Sequence, residues 1–257
     1  MNIGINLDSK LPYQEVIDAF LQNGINRTFV CIEHPQFAEV MRALKNANIV
    51  VDNFHAPFKK QNTIWKDGEE GDAMLSHFLQ SVDLCVEYGI DLMVAHVTNG
   101  RPMPPITQIG LERFDKFISY AQSNSVKIAF ENHRYVENVR FMMERYPNVG
   151  FCLDTSHENG FTPGIRYMPM WGDRLVATHL SDNETVCDKD MHMIPFDGNI
   201  NFEQTAKEIA ASSREVTLML EIKQINHPMY SNMTVKEYYS SAADSIKKFA
   251  DMVDSFR

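Results

Sequence analysis

The sequence predicts a single (β/α)8 barrel, and three observations predict it. The chain has 257 residues, and α/β barrels commonly occupy about 250 residues as one domain. Eight short apolar runs alternate with longer segments of helical period from one end to the other, about 32 residues per unit. Most runs are apolar at consecutive rather than alternate positions, the pattern of parallel strands covered on both faces by helices.

The predicted strands cover residues 3–7, 27–32, 49–54, 92–97, 127–131, 149–154, 175–180 and 217–222. After the first, residues 13–23 place Val16, Ile17, Phe20 and Leu21 on one helical face, and Gly24 stops the helix. Helices of the same kind are expected over 37–46, 73–88 (ended by Gly89), 109–123, 136–146, 202–211 and 235–256. Residues 163–171 have weaker periodicity and read as a short or irregular helix. Two connections, 56–72 and 181–201, are longer than strand–helix loops usually are, which marks them as candidate functional loops. No G-x-G-x-x-G follows the first strand, which weighs against a doubly wound nucleotide-binding sheet. With no linker and no low-complexity tract, one domain is expected over residues 1–257.

Composition narrows the function classes. Hydrophobic residues make up 44% and charged residues 23%, a globular composition that excludes a disordered chain. The formal charge of −10 disfavours nucleic acid as a partner. No apolar run reaches the roughly 18 residues of a membrane span. The N-terminal stretch has neither a basic nor a long apolar region, so a cytoplasmic address is expected. The four cysteines form no C-x-x-C pair, and Cys31 and Cys152, inside apolar runs, are expected to be reduced and buried.

Chemistry should gather at the C-terminal ends of the strands, which share one face of a barrel. Six of the eight runs reach His, Asp or Glu there: His55, His96, Glu131, Asp154, His179 and Glu221, spaced 23 to 42 residues apart. A ring would bring all six side chains around one axis. Three carboxylates buried together cost several kcal/mol per ion unless a cation compensates. Glu131, Asp154, His179 and Glu221 offer one nitrogen and three oxygen donors, suited to Mn²⁺, Mg²⁺, Co²⁺ or Zn²⁺. His157, three residues beyond Asp154, and the D-x-H pair Asp190 and His192 are candidates for a further His/Asp/His pocket. His55 and His96 are candidates for another ion sharing Glu131, or for binding substrate. His133 is placed to orient Glu131, Phe58 and Trp65 to cover a ligand, and Lys59, Lys60, Arg101 and Lys223 to meet a phosphate.

These residues stand in stretches that resemble the xylose-isomerase-like superfamily of (β/α)8 barrels, which joins sugar isomerases and epimerases with the endonuclease IV family. The stretches are N-F-H-A-P at 53–57, V-A-H at 94–96, F-E-N-H at 130–133, G-F-C-L-D-T-S-H at 150–157, T-H-L-S-D-N at 178–183, D-M-H at 190–192 and L-E-I at 220–222. The resemblance implies that Glu131, Asp154, His179 and Glu221 bind a catalytic divalent metal. It also implies that Glu131 and Glu221 act as acid and base on a sugar or sugar phosphate through an enediolate, with His157 on a substrate oxygen. The other branch implies three zinc ions on all nine residues and hydrolysis at abasic DNA. The loops after Glu131 and His192 lack that branch's glycine-rich signatures, and the H-L-x-D-N form at 179–183 resembles sugar-isomerase relatives, so isomerase or epimerase is the expected activity. A small-molecule sugar is the expected partner, with homo-oligomerisation open.

Overall fold

Strands that are apolar on both sides need helices over one face and a filled interior behind the other, and the chain meets both demands by returning each strand through a helical layer. The computed structural model describes residues 1–257, the side chain of Asn226 apart. The strands are β1 (Ile3–Ile5), β2 (Arg27–Cys31), β3 (Val50–His55), β4 (Leu92–Ala95), β5 (Lys127–Glu131), β6 (Gly150–Asp154), β7 (Leu175–His179) and β8 (Leu218–Leu220). The helices are α1 (Tyr13–Gln22), α2 (Phe37–Asn46), α3 (Glu69–Tyr88), α4 (Gln108–Ser123), α5 (Val136–Arg145), α6 (Thr155–Phe161), α7 (Met168–Trp171), α8 (Phe202–Ala211) and α9 (Val235–Ser255).

All strand pairs are parallel. β2 to β7 form one continuous ladder in chain order, and β1 pairs with β8. A parallel bridge between Leu180 and Leu220 joins β7 to β8. At the remaining seam, a Cβ on Gly4 would lie 2.8 Å from the Arg27 carbonyl oxygen. Glycine is what lets β1 approach β2 there.

The period of two along a strand explains how the site is carried. Val94, Ala129, Cys152 and Ala177 form a small buried cluster of their own. Each lies two residues before His96, Glu131, Asp154 or His179, so each shares its strand face with a polar residue of the mouth. The alternate residues, among them Met93, Ile128, Phe130, Phe151 and Leu153, belong to the larger core beneath the helices. A column of small side chains inside and large ones outside thus sets the polar ring on an apolar floor.

Two helices depart from the sequence expectation. α3 begins at Glu69, a turn earlier than expected. α6 follows β6 at once and was not expected, because its seven residues carry no full apolar stripe. The Asp154 carboxylate starts it by accepting the His157 N–H at 2.6 Å, an N-cap bond. The weakly periodic 163–171 stretch holds the four-residue α7, the short helix expected there.

Candidate metal centre

Glu131, at the end of β5, is the hub. It is fully buried, as are Asp154 and His179. Its Oε2 lies 3.2 Å from His55 Nε2 and 3.0 Å from His96 Nε2. Its Oε1 lies 3.2 Å from His179 Nδ1 and 3.4 Å from His157 Nδ1. His179 Nδ1 is also 3.2 Å from Glu221 Oε2. Donor atoms of Glu131, Asp154, His179 and Glu221 all lie within 4.8 Å of one another, and so do those of His55, Glu131 and His179. His179 therefore completes the second group, where the sequence reading had His96; His96 still faces the same Glu131 oxygen.

These four residues fit a divalent ion on the evidence of their own unmet bonding. Asp154 spends Oδ1 on the helix cap, and its Oδ2 is buried without a partner. His55, His157 and His192 share one arrangement. Each presents Nδ1 to a main-chain carbonyl, of Ala56 (2.7 Å), Asn132 (3.0 Å) and Glu221 (3.0 Å) respectively. A carbonyl only accepts, so Nδ1 carries a proton and Nε2 is the nitrogen that turns inward. That is how metal-binding histidines are commonly oriented.

Charges in the cluster bias one another strongly. Burial opposes ionisation of Glu131, but His179 and His96 outweigh it and hold its carboxyl well below the usual range. Burial pushes Asp154 well above its usual value, and the Glu131, Asp190 and Glu221 carboxylates add to the push. Burial works against a charged His157, yet Asp154 and Asp190 raise it to about 10. Burial drives His133 the other way, well below its ordinary value, with His157 and His96 repelling its charge. Its ring packs 4.7 Å from both those rings and makes no bond to Glu131.

The D-x-H pair joins the ring as the spacing suggested. Asp190 Oδ2 is 3.4 Å from His157 Nε2 and 2.6 Å from His192 Nε2. Lys223 also turns inward, with Nζ 2.6 Å from His192 Nε2. The other basic candidates pair at the rim instead: Lys59 with Glu33, Lys60 with Glu70 and Arg101 with Asp188. Phe58 packs edge-on to His55 at 5.4 Å and lines the mouth. Trp65 does not; it is buried against Phe114, and its indole N–H donates to the Val97 carbonyl at 3.0 Å.

Sequence reasoning missed the residues that aim this set. Asn132 donates Nδ2–H to the Asp154 carbonyl (2.8 Å) and accepts the Asp154 N–H (2.7 Å), locking the end of β6 to β5. Phe29 stacks on the His179 ring at 4.5 Å. Asp182, fully buried, accepts four backbone N–H groups from the long 181–201 connection: Asn183 and Ile200 on Oδ1, Phe196 and Gly198 on Oδ2. This strap holds the segment carrying Asp190 and His192, including His192 itself in the left-handed region (φ 49°). The available signal was polar residues directly after the strand ends, in F-E-N-H and H-L-S-D-N.

The geometry can now be set beside known proteins. Residues 15–249 match the family described as xylose isomerase-like TIM barrel. The chain belongs to that family. The uncharacterized protein y4fM of Sinorhizobium fredii is 29% identical over 153 residues, which cover 56% of this chain and 47% of that protein. The chain thus spans about half the length of the curated relative it matches. The IolI protein, solved with a bound zinc atom, superposes with a TM-score of 0.80 at 16% identity over 100% of this chain and 99% of its own. A D-psicose 3-epimerase of Clostridium cellulolyticum H10, solved with D-tagatose, gives 0.74 at 13% identity over 98% and 99%. At these identities the likeness is one of fold. Among the described residues no helix is long and apolar enough to cross a membrane.

Proposed function

We propose that the chain, as one barrel domain over residues 1–257, is a divalent-metal-dependent isomerase or epimerase of a sugar or sugar phosphate, acting by proton transfer through an enediolate. One observation carries this reading: three carboxylates and an imidazole from four separate strand ends bring donor atoms within 4.8 Å of one another at the mouth. The zinc atom of the IolI structure and the sugar of the psicose epimerase, on the same fold, support it.

An ion such as Mn²⁺, Mg²⁺, Co²⁺ or Zn²⁺ held by Glu131, Asp154, His179 and Glu221 would polarise a carbonyl and stabilise enediolate charge. The chain's own residues do the rest. Glu131 and Glu221 flank His179 Nδ1, each 3.2 Å from it. One takes the C–H proton beside the carbonyl, and one of the pair returns a proton to the same or the neighbouring carbon. Glu221 is the member of the four with an exposed edge, 13% of its side chain, and so the one a substrate meets first. His55, His96 and His157 lie around the hub to bind substrate oxygens, and the apolar floor beneath keeps water from quenching the intermediate.

The test is exchange of the substrate C–H with deuterated water, followed by NMR over a panel of ketoses and their phosphates. Wild type should exchange on one member, and Glu131→Gln and Glu221→Gln should each lose exchange while remaining folded. Retained exchange in both variants would refute the glutamate mechanism. The convergence of all nine residues also favours a second reading, an endonuclease IV-like three-zinc phosphodiesterase; incision of abasic-site duplex DNA by metal-loaded protein would establish it.

A further inference from the structure

β1 contributes no side chain to the inner ring, yet its end is tied to the strand that carries Glu221. β1 and β8 pair in parallel as far as Ile5 and Leu220, and the Asn6 N–H extends the ladder to the Leu220 carbonyl at 3.0 Å. A regular ladder would next have the Ile222 N–H donate to the Asn6 carbonyl. It donates instead to Asn6 Oδ1 at 2.8 Å, and Asn6 Nδ2–H donates back to the Ile222 carbonyl at 3.0 Å. The side-chain amide stands in for a peptide unit, offering one acceptor and one donor to the facing strand. The Asn6 carbonyl it replaces accepts the Tyr239 hydroxyl of α9 at 3.3 Å. Asn6, Ile222 and Tyr239 are all buried.

The same exchange occurs at Asn132, between β5 and β6. There the amide pairs with the Asp154 N–H and carbonyl, and the released Asn132 carbonyl receives His157 Nδ1. At Asn132 the clamped residue is itself a member of the inner ring. At Asn6 it is Ile222, the residue after Glu221. Glu221 is held from the other side as well, because its N–H donates to the Leu180 carbonyl at 3.0 Å. The main chain at Glu221 is thus fixed between the β7 connection and Asn6, and release at Asn6 would let its carboxylate drift from His179 Nδ1, 3.2 Å away.

We propose that Asn6 is a positioning residue: its amide clamps Ile222 and thereby sets Glu221 against the other three donors of the inner ring. The proposal rests on the metal-dependent reading above and gives β1 its part in it. Among the described residues, Asn6 makes no bond of its own to the four donors, so it acts through the main chain of β8.

The test is zinc affinity, by competition with a chelator, in wild type, Asn6→Leu, Glu221→Gln and the double variant. Asn6→Leu removes both amide bonds at similar volume and should weaken zinc by about 10- to 100-fold, as loss of a ligand-orienting group commonly does. On the Glu221→Gln background the same change should cost less than about threefold, because the carboxylate it sets is already gone. Exchange of the Ile222 amide in metal-free Asn6→Leu should quicken by about tenfold. A folded Asn6→Leu protein with zinc affinity within about threefold of wild type would overturn the proposal. So would an equal loss on both backgrounds, the mark of a merely structural residue. If Asn6→Leu does not fold, Asn6→Ala, which removes the amide without filling its space, enters the same cycle. Rapid exchange of the Ile222 amide in wild type would also overturn the proposal, and that arm needs no variant. Absence of bound zinc in wild type would overturn it together with the metal-dependent reading, a result distinct from the others.

Discussion

Asp182→Asn keeps the size of a side chain that never touches the proposed chemistry, yet it should loosen half of the mouth. The carboxylate accepts N–H groups at 2.7 Å (Asn183) and 3.0 Å (Ile200) on one oxygen, and at 2.8 Å (Phe196) and 2.9 Å (Gly198) on the other. Asparagine turns one oxygen into an NH2 group, which then faces two donors and can bond neither. Hydrogen bonds to a charged acceptor contribute about 1.5–3 kcal/mol each, so two lost bonds remove about 3–6 kcal/mol. The space leaves no easy rearrangement, because a Cβ at Gly198 would already lie 2.5 Å from Asp182 Oδ1. The loss should appear as local opening of residues 181–201 rather than global unfolding. Native-state hydrogen exchange at the Phe196, Gly198 and Ile200 amides is the assay. At about 1.4 kcal/mol per tenfold, exchange there should quicken by about 100-fold or more. Protection within about threefold of wild type would mean that Asp182 does not hold the loop, and the strap argument would fail.

Two further outcomes follow from packing and charge. Gly110→Ala places a Cβ 2.3 Å from the buried Trp65 ring, which its bond to Val97 keeps from moving, so overpacking should cost about 1–3 kcal/mol; an unchanged urea midpoint would contradict this. Metal loading at neutral pH should release protons. Burial opposes a charged His179, one of the four proposed ligands, but Cys152, Glu131 and Glu221 raise it well above its ordinary value. A raised value means a proton must leave before the ring can ligate, so affinity should fall as pH falls, by about tenfold per unit for each proton displaced. Calorimetric heats of zinc binding that do not vary with the ionisation enthalpy of the buffer would refute it.

Much of this site was legible before any coordinates. Glu131, Asp154 and His179 end apolar runs, and a residue ending a barrel strand has one place to go. The inner ring followed from that alone; the small residues two positions earlier that seat it emerged only with the structure. Less visible were α6, begun by a ligand-type carboxylate acting as a cap, and the two unlike roles of Phe58 and Trp65, which sit seven positions apart in one loop. Lys223 read only as one of four lysines and arginines near the mouth, since its inward turn depends on a main-chain bond to His192 from another connection.

The period of the apolar runs and the residue type at each run's end determined the barrel, its polar mouth and the membership of the inner cluster, because strand geometry converts sequence parity directly into direction. Tertiary structure alone decided which nitrogen each histidine turns inward, that Asp182 straps the 181–201 loop, and that the Lys223 side chain rather than open space faces His192. Those outcomes depend on partners distant in the chain, whose distances no local pattern encodes.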